Sequence, residues 1–166
     1  MRTRGFASLL ATASVIVVAD QITKLLIRRE FELYDSWTII PNFFNLTRIH
    51  NTGAAFGLLD ATDLPFKTGL LALVSTAALA GLAAFAASLP EMHRLARFGV
   101  ALVVGGAAGN LIDRMWLGYV VDFVDVYWRG WHFWAFNVAD SAISIGMALI
   151  ILDQMGVGRR RVPGTV

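Results

Sequence analysis

Long uninterrupted apolar blocks dominate this chain. Strict alternation and one-sided helical stripes are both scarce. Four blocks stand out, at about Gly5–Ile27, Thr68–Leu89, Leu95–Ile112 and Val138–Met155. A helix that crosses a bilayer needs roughly 20 mostly apolar residues, and each block comes near that length. The pattern predicts four transmembrane helices in a mainly α integral membrane protein. So little chain remains between the blocks that residues 1–166 are expected to form one domain. Arg2 and Arg4 ahead of an apolar run with Ala and Ser also fit a secretory signal peptide. The run continues past "ATAS" to Val18 and then meets Asp20 and Lys24, which favours a retained helix.

Two longer segments separate the blocks, about residues 30–67 and 116–136. In the first, Phe43–Ile49 mixes aromatic, Thr and branched residues and predicts a strand, followed by a turn at Asn51-Thr52-Gly53. The second is crowded with Trp, Tyr and Phe, residues that settle at a membrane–water interface. A small β element resting on one leaflet is therefore expected. Basic residues set the orientation. Arg2 and Arg4, Arg94 and Arg97, and Arg159, Arg160 and Arg161 all fall on the face that also carries both termini, which is assigned to the cytoplasm. The other face has basic residues too, among them Arg28, Arg48 and Arg129, so the bias is clearest in the short loop and at the ends.

Composition narrows the classes. The chain is 57% hydrophobic and 16% charged, with a formal net charge of +2 and no cysteine. Disulfides, thiol nucleophiles and thiolate metal sites are excluded. A modest charge gathered at helix ends does not suit a nucleic-acid binder.

On this topology the polar residues of the apolar blocks converge. Asp20 and Lys24 lie near the outer end of the first span, and Asn110 and Asp113 near the outer end of the third. Asn137 and Asp140 open the fourth, while Asn51 and Asp122 belong to the outer segments. Ionisable groups at such depths are costly and mark function by default. Each also has a plain structural role open to it. Asp20 and Lys24 stand at i, i+4 and can pair. Asn137 and Asp140 match a helix capping box. Asp113 beside Arg114 can neutralise a helix end, and Asp122 and Asp125 can be surface acids of an interfacial loop. Gly105 and Gly109 form a GxxxG packing motif. His50, His93 and His132 do not gather on one face, so a histidine zinc site is not expected.

Carboxylate chemistry remains. Two neighbouring carboxyls that share one proton can activate water and protonate a carbonyl oxygen, as in aspartic proteases. Spacing alone does not choose which two of the outer-side acids would pair. Competing readings are a Ser/Lys peptidase using Ser141 and Lys24, a proton or ion carrier, and a structural membrane subunit. A carrier should spread ionisable groups through the membrane depth.

The segments "DQITK" (Asp20–Lys24), "HNTGAAFG" (His50–Gly57), "GNLIDR" (Gly109–Arg114), "GYVVDFVD" (Gly118–Asp125) and "FNVADSAI" (Phe136–Ile143) occur in this order. Together they closely resemble the bacterial lipoprotein signal peptidases (signal peptidase II), over nearly the whole chain. The resemblance implies a four-helix inner-membrane aspartic endopeptidase with an outer β-cradle and a short interfacial helix. Such enzymes cleave a prolipoprotein before a diacylglyceryl-modified cysteine, need no cofactor or metal, and are inhibited by globomycin. It implies a catalytic dyad of Asp122 and Asp140. Asn51, Asn110, Asp113, Arg114 and Asn137 match positions that support the dyad or line the substrate site, and Asp20 and Lys24 match the polar pair of the first helix. Asp125 is expected to be a non-catalytic surface or support residue. Trp134 stands where the family usually has proline, which would stiffen the approach to the last helix.

Overall fold

The computed structural model describes residues 2–53, 66–90 and 93–157. Four helices carry it: α1 (Arg2–Glu30), α2 (Lys67–Ser88), α3 (Arg94–Leu117) and α4 (Val138–Gln154). Each covers one of the four apolar blocks. The interfacial helix expected before Lys67, the end of the His50–Gly57 motif and the Arg159–Arg161 cluster lie outside the described residues.

Three helices, α1, α2 and α3, are long and apolar enough to cross a membrane. The fourth, α4, has 17 residues. Their outward surfaces expose large apolar side chains such as Val15, Leu73, Ile145 and Ile151, the inverse of a water-soluble bundle. The helix α3 is central and packs against α1, α2 and α4. Glycine makes two of these approaches close. A Cβ at Gly105 would meet the Ala13 carbonyl at 2.8 Å, and one at Gly109 would meet Asp20, so the GxxxG motif faces α1. A second seam, which the sequence did not signal, faces α4: a Cβ at Gly106 would press on the Ala139 carbonyl. The helix α3 runs past the expected Ile112 and stops at Gly118, whose left-handed φ of 84° turns the chain out while its N–H donates to the Arg114 carbonyl.

The two longer segments between the apolar blocks form β1 (Ser36–Ile40), β2 (Phe44–Asn51), β3 (Val120–Trp128) and β4 (Trp131–His132), ordered β1-β2-β3-β4 and antiparallel throughout. The strand β2 matches the predicted one. By contrast β3 was expected to be an interfacial loop. Its run "VVDFVDVYW" is buried on both sides over most of its length, so the alternation that marks a half-exposed strand is missing. Val121 and Phe123 pack on Ile27 and Phe31, which anchors the sheet on the end of α1. Beyond β4, Phe136 bridges back to Val124 and delivers the chain to α4.

Candidate active site

The end of α3, the start of α4, the last turns of α1 and the strands β2 and β3 meet at one level. There they bury Asp20, Lys24, Asn110, Asp113, Asp122 and Asn137. The convergence inferred from sequence is therefore real, although its internal pairing differs in places.

The start of α4 sets the geometry. Asn137 accepts from the Asp140 backbone N–H through Oδ1 (2.9 Å), while the Asp140 carboxylate accepts from the Asn137 N–H (3.3 Å). This is the capping box the sequence suggested. It leaves the Asn137 amide nitrogen free to act elsewhere. That nitrogen donates to Asp122 Oδ1 (2.7 Å), to Asn110 Oδ1 (3.2 Å) and to the Val121 carbonyl (3.3 Å). Asn110 in turn donates to Asp140 Oδ1 (2.8 Å). Two asparagine amides thus bridge the two carboxyls, Asp122 to Asn137 to Asn110 to Asp140. Asn51, at the end of β2, donates to the other Asp122 oxygen (2.9 Å), and its own Oδ1 accepts from the Gly53 N–H, closing the predicted turn.

Asp122 sits on β3, not on a loop, and is 2% exposed. Burial, and then the nearby Asp140 carboxylate, push its carboxyl up to about 7, against hydrogen bonds from Asn51 and Asn137 and the charge of Lys24. Two carboxyls that feel each other's charge in this way titrate as a coupled pair.

Around this pair lies a charged layer. Lys24 bonds Asp20 (2.8 Å) and Asp113 (3.0 Å) and donates to Asn110 Oδ1 (2.9 Å), so the expected i, i+4 pair is part of a larger network. Asp20 receives the Ala139 N–H (3.0 Å) and Asp113 receives the Val121 N–H (3.1 Å), which ties α1 to α4 and α3 to β3. Gln21, which the sequence reading did not single out, donates to Asp113 and to the Gly109 carbonyl. Its place beside Asp20 in "DQITK" was the available signal. The expected pairing of Arg114 with Asp113 gives way to another. Arg114 reaches the Gly53 carbonyl (2.9 Å) and holds the turn that carries Asn51, because Asp113 is already committed to Lys24, Gln21 and Val121.

Other expectations are corrected. Asp122 and Asp125 are buried strand residues, not surface acids. Asp125 accepts from Asn45 (2.9 Å) and pairs with His132 (2.8 Å), a support role. Ser141 Oγ donates back to the Asn137 carbonyl, and Lys24 Nζ is bound to Asp20, Asp113 and Asn110, so the two make no dyad. His50 stacks on Tyr119 with ring centroids 3.7 Å apart. Burial, then the charges of Arg48 and Arg28, hold its ring below the usual histidine value. At the end of the bundle away from this site, His93 pairs with the buried Asp153 (2.5 Å), a contact the sequence did not signal. Among the described residues no three His, Asp or Glu side chains are grouped to hold a metal ion.

Comparison with known proteins gives a consistent result. Residues 12–156 match the family described as Signal peptidase (SPase) II. The chain is 42% identical over 160 residues to the lipoprotein signal peptidase of Syntrophotalea carbinolica, covering 96% of this chain and 98% of the relative. To that of Geobacter sulfurreducens it is 45% identical over 147 residues, covering 89% and 91%. Among solved structures, a bacterial membrane enzyme determined by the in meso method superposes with a TM-score of 0.82 at 31% identity, covering 96% of this chain and 94% of that one.

Proposed function

The chain belongs to the signal peptidase II family, and on that premise we propose that its buried carboxyl pair, Asp122 and Asp140, performs the peptide-bond hydrolysis. The protein is a membrane hydrolase that removes signal peptides from prolipoproteins. The observation that carries the assignment is the amide bridge from Asp122 through Asn137 and Asn110 to Asp140. It holds two carboxyls from different segments in one site without neutralising either with a cation.

In the proposed mechanism the pair enters with one shared proton. The ionised carboxyl takes a proton from a water, whose oxygen attacks the scissile carbonyl. The protonated carboxyl gives its proton to the carbonyl oxygen. Collapse of the tetrahedral species breaks the C–N bond, and the amine leaves with a proton returned by the pair. No acyl-enzyme forms. Asn51, Asn110 and Asn137 orient the carboxyls, Arg114 fixes the Asn51 turn, and Asp20, Lys24 and Asp113 brace α1, α3, α4 and β3 around them. The substrate is a diacylglyceryl-modified prolipoprotein, cut before the lipidated cysteine, with its acyl chains left in the bilayer.

The chain is one domain with four spans, both termini cytoplasmic, in the bacterial inner membrane. The sheet rests as a cradle on the outer leaflet, where Trp128, Trp131 and Trp134 are exposed. At 1.5 Å per residue α4 reaches about 25 Å, short of a bilayer core of roughly 30 Å, so the polar pair at its start sits just under the outer surface. The enzyme acts as a monomer, and globomycin-type inhibitors occupy the site. Purified protein should cut the lipidated precursor and spare its unlipidated form, with mass spectrometry placing the new N-terminus at the lipidated cysteine. Equal cutting of both forms would sink this specificity.

A further inference from the structure

The segment 133–136 links β4 to Asn137, the residue that both caps α4 and bridges the two carboxyls. Trp134 lies in it where the family usually has proline, so ring chemistry does not fix its backbone. What fixes it is visible one strand away. The Phe133 N–H donates to the Val126 carbonyl (2.8 Å), and Phe136 and Val124 exchange N–H···O bonds (2.8 and 3.1 Å). These attachments continue the pairing of β4 with β3, and β4 consists of Trp131 and His132 alone. A strand that short adds few ladder bonds.

One side-chain cluster adds to the hold of β4 on β3. Asp125 of β3 is buried, and both its oxygens face His132 Nδ1 (2.8 and 3.0 Å). Asn45 of β2 donates to Asp125 Oδ2 (2.9 Å). The His132 ring stacks on Tyr127 with centroids 4.9 Å apart and planes 9° from parallel. Tyr127 is itself tied down, since its hydroxyl accepts from the Asn42 N–H and its own N–H donates to the Phe43 carbonyl. So one carboxylate joins β2, β3 and β4 immediately before the chain enters the site. Asp125 alternates with Asp122 along β3, which keeps the clamp off the face carrying the reacting carboxyl.

We infer that the Asp125–His132–Asn45 cluster is a positioning clamp for the hydrolytic reaction: it fixes the 133–136 segment and through it the Asn137 bridge between Asp122 and Asp140. This rests on the function proposed above. The clamp touches neither carboxyl of the pair. Its loss should loosen the reacting geometry while leaving substrate binding nearly intact, since the clamp lies off the face of β3 that carries Asp122. A misplacement of about an ångström costs up to roughly a hundredfold in rate.

The test is steady-state cleavage of a diacylglyceryl prolipoprotein by the full chain in detergent, with thermal unfolding measured on the same samples. His132→Ala should lower kcat by roughly ten- to a hundredfold and change KM by less than about twofold. His132→Asn places an amide nitrogen as many bonds from Cβ as Nδ1, and should restore most of the lost kcat. Unchanged kcat in folded His132→Ala, even with a lowered melting temperature, would reduce the cluster to a sheet brace and overturn the inference. So would a raised KM at constant kcat, which would make His132 a substrate contact. If His132→Ala does not fold, Asn45→Ala cuts the clamp from its other side. A several-fold fall in kcat supports the inference, and wild-type kcat overturns it. Wild-type protein that leaves the precursor intact would instead refute the proposed function, so the two failures are separable.

Discussion

Asn137 does the most of any single residue. Its oxygen caps a helix and its nitrogen holds a carboxylate, so a local folding signal also builds the site. The capping box was legible from Asn137 and Asp140 alone, because it depends on near neighbours. The choice of Asp122 as the partner was not. It depends on strand pairing that brings Asn51 opposite Val120, and spacing carries no trace of that. Motif resemblance supplied it. With Asp122 raised to about 7 by burial and by Asp140, the pair gives up its shared proton as pH rises through that value. The kcat/KM profile should therefore fall on an alkaline limb near pH 7; a profile flat to about pH 9 would contradict a proton-sharing pair. Stability moves in the same direction. The folded state holds this proton more tightly than the unfolded chain does, so stability is lost as pH climbs from an ordinary carboxylate value of 3.8 toward 7. Lys24 is a different kind of residue, a buried cation between two acids. Lys24→Met leaves both acids uncompensated and should cost about 3–5 kcal/mol, read as a lower melting temperature in detergent. An unshifted melting point would mean the layer does not depend on its cation.

Elements were legible in proportion to how local their signal is. The helices α2 and α4 end within a residue of their expected bounds because an uninterrupted apolar block marks a helix directly. The strand β2 announced itself by composition. The strand β3 did not, since burial of both faces over most of its length erases period-two alternation. Glycine at helix crossings was half legible. The GxxxG of α3 was seen, but the seam from Gly99 and Gly106 to α4 has no equally regular spelling. At Gly99 a Cβ would meet the Gly146 carbonyl at 2.5 Å, whereas at Gly81 it would meet nothing within 4 Å. Gly106→Ala should accordingly destabilise the fold by about 1–3 kcal/mol through overpacking. Gly81→Ala should be neutral, or stabilising by up to about 1 kcal/mol from helix propensity. Thermal unfolding of the two variants side by side checks the seam, and equal melting temperatures would contradict it.

At the scale of the molecule, the design separates two tasks. Apolar helices with exposed flanks suit the bilayer, and a thin polar layer shared by α1, α3, α4 and the sheet holds the two candidate carboxyls. That layer gathers at one end of the bundle, which is unlike the graded path a carrier needs. The half-buried His93–Asp153 pair at the opposite end joins the start of α3 to α4 and stands apart from it. The central claim is that Asp122 and Asp140 act together and without metal. Its most direct test is cleavage of a diacylglyceryl prolipoprotein by wild type, Asp122→Asn and Asp140→Asn in detergent with a chelator present throughout. The account predicts cleavage by wild type and a loss of at least about a thousandfold in each variant, with both still folded. Retained cleavage by either folded variant, or a wild type silenced by the chelator, would contradict it.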